Sequence, residues 1–262
     1  MMETIADRKA NATLEPPPYR KRSDLIAEEI KRWVVDQEKV PGERLPQEKQ
    51  LMELFSASKG VVREALKSLE VQGLIQMSTG PGGGATLCEV PSGRALALLA
   101  NYFYFKPFPA ADLYELSKVV EPALAARAVG SLTEEQLAEL EETVRTCGQP
   151  AENLETIRQQ RMAEVRFHEI IAEACPNIFM SFTGKFLNIL FYDYISFNKI
   201  PEFLPSQEEF RQLNYAAHKK ILKGLKDKDQ KAVQADMKNH LEELEKFVKE
   251  LDLSIEKKLL YL

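Results

Sequence analysis

The sequence predicts a mainly α fold in two parts: an N-terminal winged helix-turn-helix, then an all-α antiparallel helical bundle of six or seven helices. Three observations carry this. Within roughly 65 residues the chain reads helix, helix, short turn, helix, hairpin, which is the winged helix-turn-helix order. After Pro91 the apolar spacing becomes helical, and no further convincing strand is found. The 12 glycines and 14 prolines gather largely in a few short stretches, which leaves most of the 262 residues free to be regular structure.

Taken in order, residues 1–18 are polar, lack apolar periodicity and end in Pro16-Pro17-Pro18, so they read as a disordered arm. Residues 19–90 form the winged helix-turn-helix. Ser23 is the expected N-cap of a first helix, and Ile26, Ile30, Trp33 and Val34 recur at helical spacing to about Gln37. Pro41-Gly42 breaks the chain. Pro46 suits the first turn of a short second helix with Leu51 and Leu54 facing inward. After the turn Ser56-Ala57-Ser58, a third helix runs from about Lys59 to Gln72 on the stripe Val62, Ala65, Leu66 and Leu69, and Gly73 stops it. Leu74-Ile75-Gln76-Met77 and Ala85-Thr86-Leu87 read as two strands joined by the turn Gly80–Gly84. Residues 91–262 form the helical domain, with helices expected around 94–104, 110–129, 133–147, 151–174, 178–198, 207–226 and 229–260. No internal repeat is found.

Composition bounds the function classes. Hydrophobic residues at 44% and charged residues at 29% fit a soluble globular protein. The N-terminal residues carry charges where a secretory signal has an apolar run, and no apolar stretch approaches the ~20 residues that cross a bilayer. Cys88, Cys147 and Cys175 are an odd number, widely spaced and without CxxC, which argues against a disulfide framework or a thiolate metal site and fits a cytoplasmic protein. The net charge is −5, but residues 17–90 are neutral, with eleven basic and eleven acidic residues. A neutral segment binds DNA when its basic residues share one face.

A helix entering the major groove needs donors on its exposed N-terminal face. Lys59 and Arg63 are four apart and project together, opposite the buried stripe. Ser58 stands at the helix start, where its hydroxyl can cap or meet a phosphate. Gly60 removes bulk where DNA would approach, and Lys49 on the preceding helix is placed for a phosphate or base. Taken alone, Lys59 and Arg63 read as a solvated helical face, the usual fate of such a pair. The glycine-rich turn, with Gly82 and Gly83 at its tip, has two readings as well. A nucleotide loop would need a following GK[ST] or a strand–loop–helix context, and neither is present; a wing tip whose bare backbone nears the minor groove fits its place between two strands.

Leu45-Pro46-Gln47-Glu48-Lys49-Gln50-Leu51, Ala57-Ser58-Lys59, Val62-Arg63-Glu64-Ala65-Leu66, Leu69-Glu70 and Gly73-Leu74-Ile75 together resemble the N-terminal domain of GntR-type repressors, whose usual reading is LPSER, VSR, VREAL, LE and GLI. The resemblance covers residues 23–88 without a gap. It implies DNA contacts at Lys49, Lys59 and Arg63, the positions of the family's three arginines. Two are lysine here, which keeps the charge and lacks the fork that reads guanine bidentately, and Gln47 stands where serine is usual. Affinity for phosphates is expected to survive these changes better than the family's usual operator sequence.

The chain has three histidines, His168, His218 and His240, all in expected helices of the second part, and Glu164 precedes His168 by one helical turn. Such donors with one carboxylate suit Zn, Ni, Mn or Fe, and a bundle can bring them together from several helices. Each histidine alone is more often a satisfied core or surface residue. The run Glu164–Asn177, with His218-Lys219-Lys220-Ile221-Leu222 and Met237-Lys238-Asn239-His240-Leu241, resembles the FadR-type (FCD) C-terminal ligand domain, whose corresponding segments read DxxFHxxIAEAxxN, HxxIL and MxxHL. The resemblance implies a divalent metal (Zn, Ni or Mn) on Glu164, His168, His218 and His240, with glutamate where aspartate is usual. It also directs attention to Glu115-Leu116-Ser117-Lys118-Val119-Val120-Glu121, similar to the family's ExRxxLE, which places effector contacts at Ser117 and Lys118. Serine replaces the arginine associated with an effector carboxylate, so an anion held by that arginine is not expected, and the metal is left to take one.

The function these readings imply is that of a cytoplasmic, homodimeric transcription regulator, a repressor, on a pseudo-palindromic double-stranded DNA operator. Its small-molecule effector, a carboxylate, would bind near the metal and change the placement of the two DNA-reading heads. A metal-sensing repressor, with the ion itself as signal, is the alternative. A metal-dependent enzyme is the remote one: no nucleophile elbow or HExxH is present, and all three histidines are already assigned.

Overall fold

The computed structural model describes residues 20–80, 82–103, 106, 108–150, 153–197 and 205–250. The expected arm, residues 1–18, and the last part of the expected final helix lie outside the described residues. The chain divides into two compact units, Met1–Arg94 and Ala95–Leu262.

In the first unit, α1 (Arg22–Asp36), α2 (Glu48–Leu54) and α3 (Lys59–Gln72) precede β1 (Ile75–Ser78) and β2 (Gly84–Leu87). Ile26, Ile30, Leu51, Val62, Ala65, Leu66, Leu69 and Ile75 form its core. Three local expectations are corrected. Lys21, not Ser23, caps α1 with its backbone, and Ser23 is buried inside the first turn. Pro46 precedes the N-cap of α2, which is Gln47, whose N–H donates to the Gln50 side chain at 2.9 Å. Leu54 is 51% exposed at the last position of α2, and Met52 and Phe55 pack on the core in its place. Gly73 ends α3 at φ +80°, a left-handed conformation that costs glycine no Cβ clash.

β1 and β2 pair antiparallel, Ile75 opposite Leu87 and Ser78 opposite Gly84. Residues 42–45 lie along the outer edge of β2, donating from Gly42 N to Leu87 O and from Leu45 N to Ala85 O, with Arg44 bridged to Thr86. The sequence reading gave no strand character to this segment, because four residues beside Pro41 and Pro46 show no period of two.

The second unit contains, among the described residues, all but the first three residues of α4 (Ser92–Phe103), then α5 (Ala110–Ala128), α6 (Glu134–Gly148), α7 (Leu154–Ala174), α8 (Ile178–Phe197), α9 (Pro205–Lys226) and α10 (Gln230–Glu250). Thr133 caps α6 by accepting from Gln136 N, and Asn153 caps α7 by accepting from Thr156 N. Pro122 lies inside α5 and withholds the N–H that the Lys118 carbonyl would accept. α10 packs on α5 and α9, α7 on α6 and α8, and α5 and α9 both reach α7. Phe167, Ile170, Ile171, Leu187, Ile221 and Met237 are essentially inaccessible. Four helices, α5, α7, α9 and α10, therefore supply side chains to one interior point. No helix of the described residues is long and apolar enough to cross a membrane.

Candidate nucleic-acid interface and histidine centre

The first site stands on α2, α3 and the hairpin. Val62, Ala65, Leu66 and Leu69 anchor one face of α3, so Lys59, Gly60 and Arg63 are exposed on the other, with Ser58 at the N-cap. The Ser58 side chain makes no cap hydrogen bond, which leaves its hydroxyl to an outside acceptor. Nothing lies within 4 Å of a Cβ built on Gly60, so internal packing does not require glycine there. Arg63 Nε donates to Glu48 Oε1 at 2.8 Å, and the pair is 62% and 31% exposed. An ion pair this exposed contributes about 0–1 kcal/mol, so a phosphate can displace the carboxylate. Lys49 is exposed on α2. In the wing, a Cβ on Gly83 would stand 2.5 Å from Ser78 O, so the turn closes on a residue without a side chain.

The second site is inside the bundle. His168 (α7), His218 (α9) and His240 (α10) converge so that their Nε2 atoms form a triangle with sides of 3.3, 3.3 and 3.2 Å. His168 Nδ1 lies 2.6 Å from Glu121 Oε2 of α5. With its proton donated to that carboxylate, the ring turns the lone pair of Nε2 toward the other two histidines. The His218 ring stacks on Phe167, with centroids 4.0 Å apart and planes 9° from parallel, which fixes its orientation.

Burial and the neighbouring imidazoles His240 and His168 hold His218 well below the usual histidine range. Burial, with His168 nearby, does the same to His240. Burial also works against charge on His168, but the charge and hydrogen bond of Glu121 outweigh it, and the net shift is upward. Two neutral imidazoles beside a third polarised by a carboxylate form a donor set of the kind that binds a divalent cation. Three nitrogens on one zinc-type ion at about 2.0–2.1 Å, occupying a tetrahedral face, are roughly 3.3–3.4 Å apart. The observed triangle fits.

Glu164 is not brought into that set. Among the described residues, the side chains whose donor atoms all lie within 4.8 Å of one another are His168, His218 and His240. An oxygen farther than that from one nitrogen cannot also be within about 2.2 Å of an ion held about 2.1 Å from the same nitrogen. Glu164 is 6% exposed. Burial pushes its carboxyl up to about 7, against the opposing pull of His168, Arg161 and an Asn214 hydrogen bond. It lines a small cavity together with His168, Glu121, Tyr114, Asn188 and Phe191.

Ser117 and Lys118 are not among the cavity's lining residues. Ser117 is fully buried, its Oγ without a hydrogen-bond partner. Lys118 turns to an ion pair with Glu245 of α10, as the roughly 100° rotation per helical residue requires of neighbours on α5. Glu121 was missed as a site residue, although it closes the ELSKVVE row that resembles ExRxxLE. Asn214 stands one turn before His218 and was legible only by that spacing. Tyr114 and Asn188 left no sequence signal, since neither belongs to a spacing or motif that points to a site.

With this geometry in place, likeness to known proteins is informative. Residues 22–84 match the family model of bacterial regulatory proteins, gntR family, and residues 112–243 match the FCD domain. The HTH-type transcriptional repressor NanR of Enterobacter sp. (strain 638) is 27% identical over 232 residues, spanning 86% of this chain and 85% of that protein. NanR of Cronobacter sakazakii is 28% identical over 237 residues, with 86% and 85% covered. Among solved structures, Streptococcus agalactiae GntR superposes with a TM-score of 0.55 at 21% identity, over 86% of this chain and 99% of that one, a likeness of fold. The helix-turn-helix head and the histidine-bearing bundle thus belong together: the chain is a member of the GntR family of bacterial regulatory proteins with an FCD domain, a transcription regulator and not an enzyme.

Proposed function

We propose that this chain is a cytoplasmic, homodimeric repressor on a pseudo-palindromic DNA operator, and that a small carboxylate-bearing effector controls it beside a divalent ion (Zn, Ni or Mn) held by His168, His218 and His240. The observation that carries the effector half is the triangle of Nε2 atoms, one of whose members, His168, also lines a small polar cavity with Glu121, Glu164 and Asn188. When bound, the ion would supply a fixed positive centre for an effector oxygen. The chain's own residues do the remainder. Glu121 sets the tautomer of His168, Phe167 holds the His218 ring, and Glu164 lines the cavity beside His168. Among the described residues no lysine or arginine lines the cavity, so a carboxylate there would find its cationic partner in the ion.

On the DNA side, each protomer places α3 in a major groove, with Lys49, Ser58, Lys59 and Arg63 on phosphates and base edges and Gly82 and Gly83 at the wing. Gly60 supports this placement: helical glycine costs about 0.5–1 kcal/mol against alanine, and no internal neighbour calls for it. The effector works by binding the DNA-competent and incompetent states with different affinity.

Elemental mass spectrometry of the purified chain, beside Glu164→Ala and His218→Ala, tests the centre. About one ion per chain, lost in His218→Ala and kept in Glu164→Ala, is expected. No ion, and none taken up on titration with Zn, Ni or Mn, sinks the metal and leaves the DNA-binding head standing. DNA affinity that follows added metal without any organic ligand would instead establish the metal-sensing repressor.

A further inference from the structure

The wing carries no cation of its own. From Met77 to Leu87 the sequence has neither lysine nor arginine, and the tip is Gly80-Pro81-Gly82-Gly83-Gly84. A bare glycine turn brings backbone near a groove but offers the polyanion no charge. The fold imports one. Arg44, 38 residues before the tip, is bridged to Thr86 on the outer edge of β2, and its Nη1 donates to Gly82 O at 2.6 Å. Backbone bonds on both sides hold the Arg44 segment, Gly42 N to Leu87 O at 2.8 Å and Leu45 N to Ala85 O at 2.9 Å. The residue is exposed, and among the described residues no carboxylate forms an ion pair with it. The neighbouring Glu43 is engaged by Lys39 and by Val40 N.

We infer that Arg44 is the side chain through which the wing enters the DNA minor groove. The Gly82 carbonyl takes one hydrogen of a guanidinium that has five to give, so the fork is oriented and most of its donors remain for the nucleic acid. An oriented arginine suits a narrow, A·T-rich minor groove, whose negative potential is deepest and whose floor lacks the guanine amino group. Lysine at 49 and 59 gives up bidentate reading in the major groove, and Arg44 restores a fork at a different groove. The inference rests on the placement of α3 in the major groove, which sets the wing beside the adjacent minor groove.

The test uses the full-length chain and a duplex that it selects from a random pool, with binding followed by fluorescence anisotropy as a function of salt. Arg44→Ala is expected to weaken binding about tenfold and to reduce the salt slope by about 1, with an unchanged thermal midpoint. At the base pairs flanking the α3 contacts, the parent chain should tolerate A·T→I·C, which leaves the minor-groove face as it was, and lose affinity on A·T→G·C. Arg44→Ala should be indifferent to both. Arg44→Lys should recover the slope, since a charge returns, without recovering the discrimination.

Equal tolerance of both exchanges by the parent chain, or an affinity loss in Arg44→Ala with slope and discrimination intact, would overturn the assignment, the latter because it marks a merely structural residue. Lys59→Ala on the same duplex reads the underlying placement separately. If it leaves affinity unchanged, the α3 model falls and this inference with it.

Discussion

The two functional regions of this molecule handle polar chemistry in opposite ways. On α2, α3 and the wing, Lys49, Ser58, Lys59 and Arg63 stand in solvent, and Arg63 holds its Glu48 partner loosely enough to release it. In the bundle, Glu121, Glu164, His168, His218 and His240 are all at most 9% exposed, and burial moves both His218 and His240 far from their ordinary behaviour. A surface waiting for a polyanion needs charge that water keeps ionised at little cost. An interior site needs neutral donors aimed at one point, because unpaired charge there is expensive. The lesson is that mutations in the first region should change affinity and spare the fold, whereas mutations in the second should alter both.

The largest effect that would sharpen this contrast is expected from His218→Ala. It removes one proposed ligand and the ring stacked on Phe167, so metal content should fall from about one ion per chain to none, with a loss of about 2–4 kcal/mol in denaturant unfolding. Retained metal would break the comparison at its buried end. Next comes Glu121→Gln, which leaves the three histidines in place and weakens the acceptor that orients His168. A 10–100-fold drop in affinity, read by competition with a chelating dye, is the expected outcome.

At the exposed end, Lys59→Ala should cost 1–3 kcal/mol of DNA affinity while metal content and unfolding midpoint stay at parent values. A lower midpoint would show that the head is not the independent surface described here. Gly83→Ala is expected to be milder, a loss of DNA binding of roughly threefold to tenfold, because its Cβ would meet Ser78 O and shift the wing tip. The smallest effect belongs to Ser117→Ala. Its hydroxyl is buried without a partner, so removal should be neutral or stabilise by up to about 1 kcal/mol. Clear destabilisation would mean that the hydroxyl is satisfied in solution.

Much of this architecture was legible in the residues. The α3 stripe Val62, Ala65, Leu66 and Leu69, the stop at Gly73 and the turn between β1 and β2 follow from period and backbone permission, which are local properties. The three histidines were legible as a set because the chain contains no others. The helix-start assignments at Ser23 and Pro46 were less secure, since capping preferences differ by about 1 kcal/mol and tertiary packing overrides them. Ser23 is buried, and Gln47 takes the cap that a sequence rule gives to other residue types.

What the sequence by itself determined is the order of elements, the family resemblance, the exposed basic face of α3 and the identity of the three histidines. Only the tertiary structure decided which carboxylate serves which histidine, that Glu164 stands outside the donor triangle, that Lys118 is spent on Glu245, and that Arg44 reaches the wing. Periodicity and capping act over three or four residues and are therefore written locally. These other contacts join residues 38 to 127 positions apart, and depend on how helices and strands meet, to within about an ångström, after they have formed.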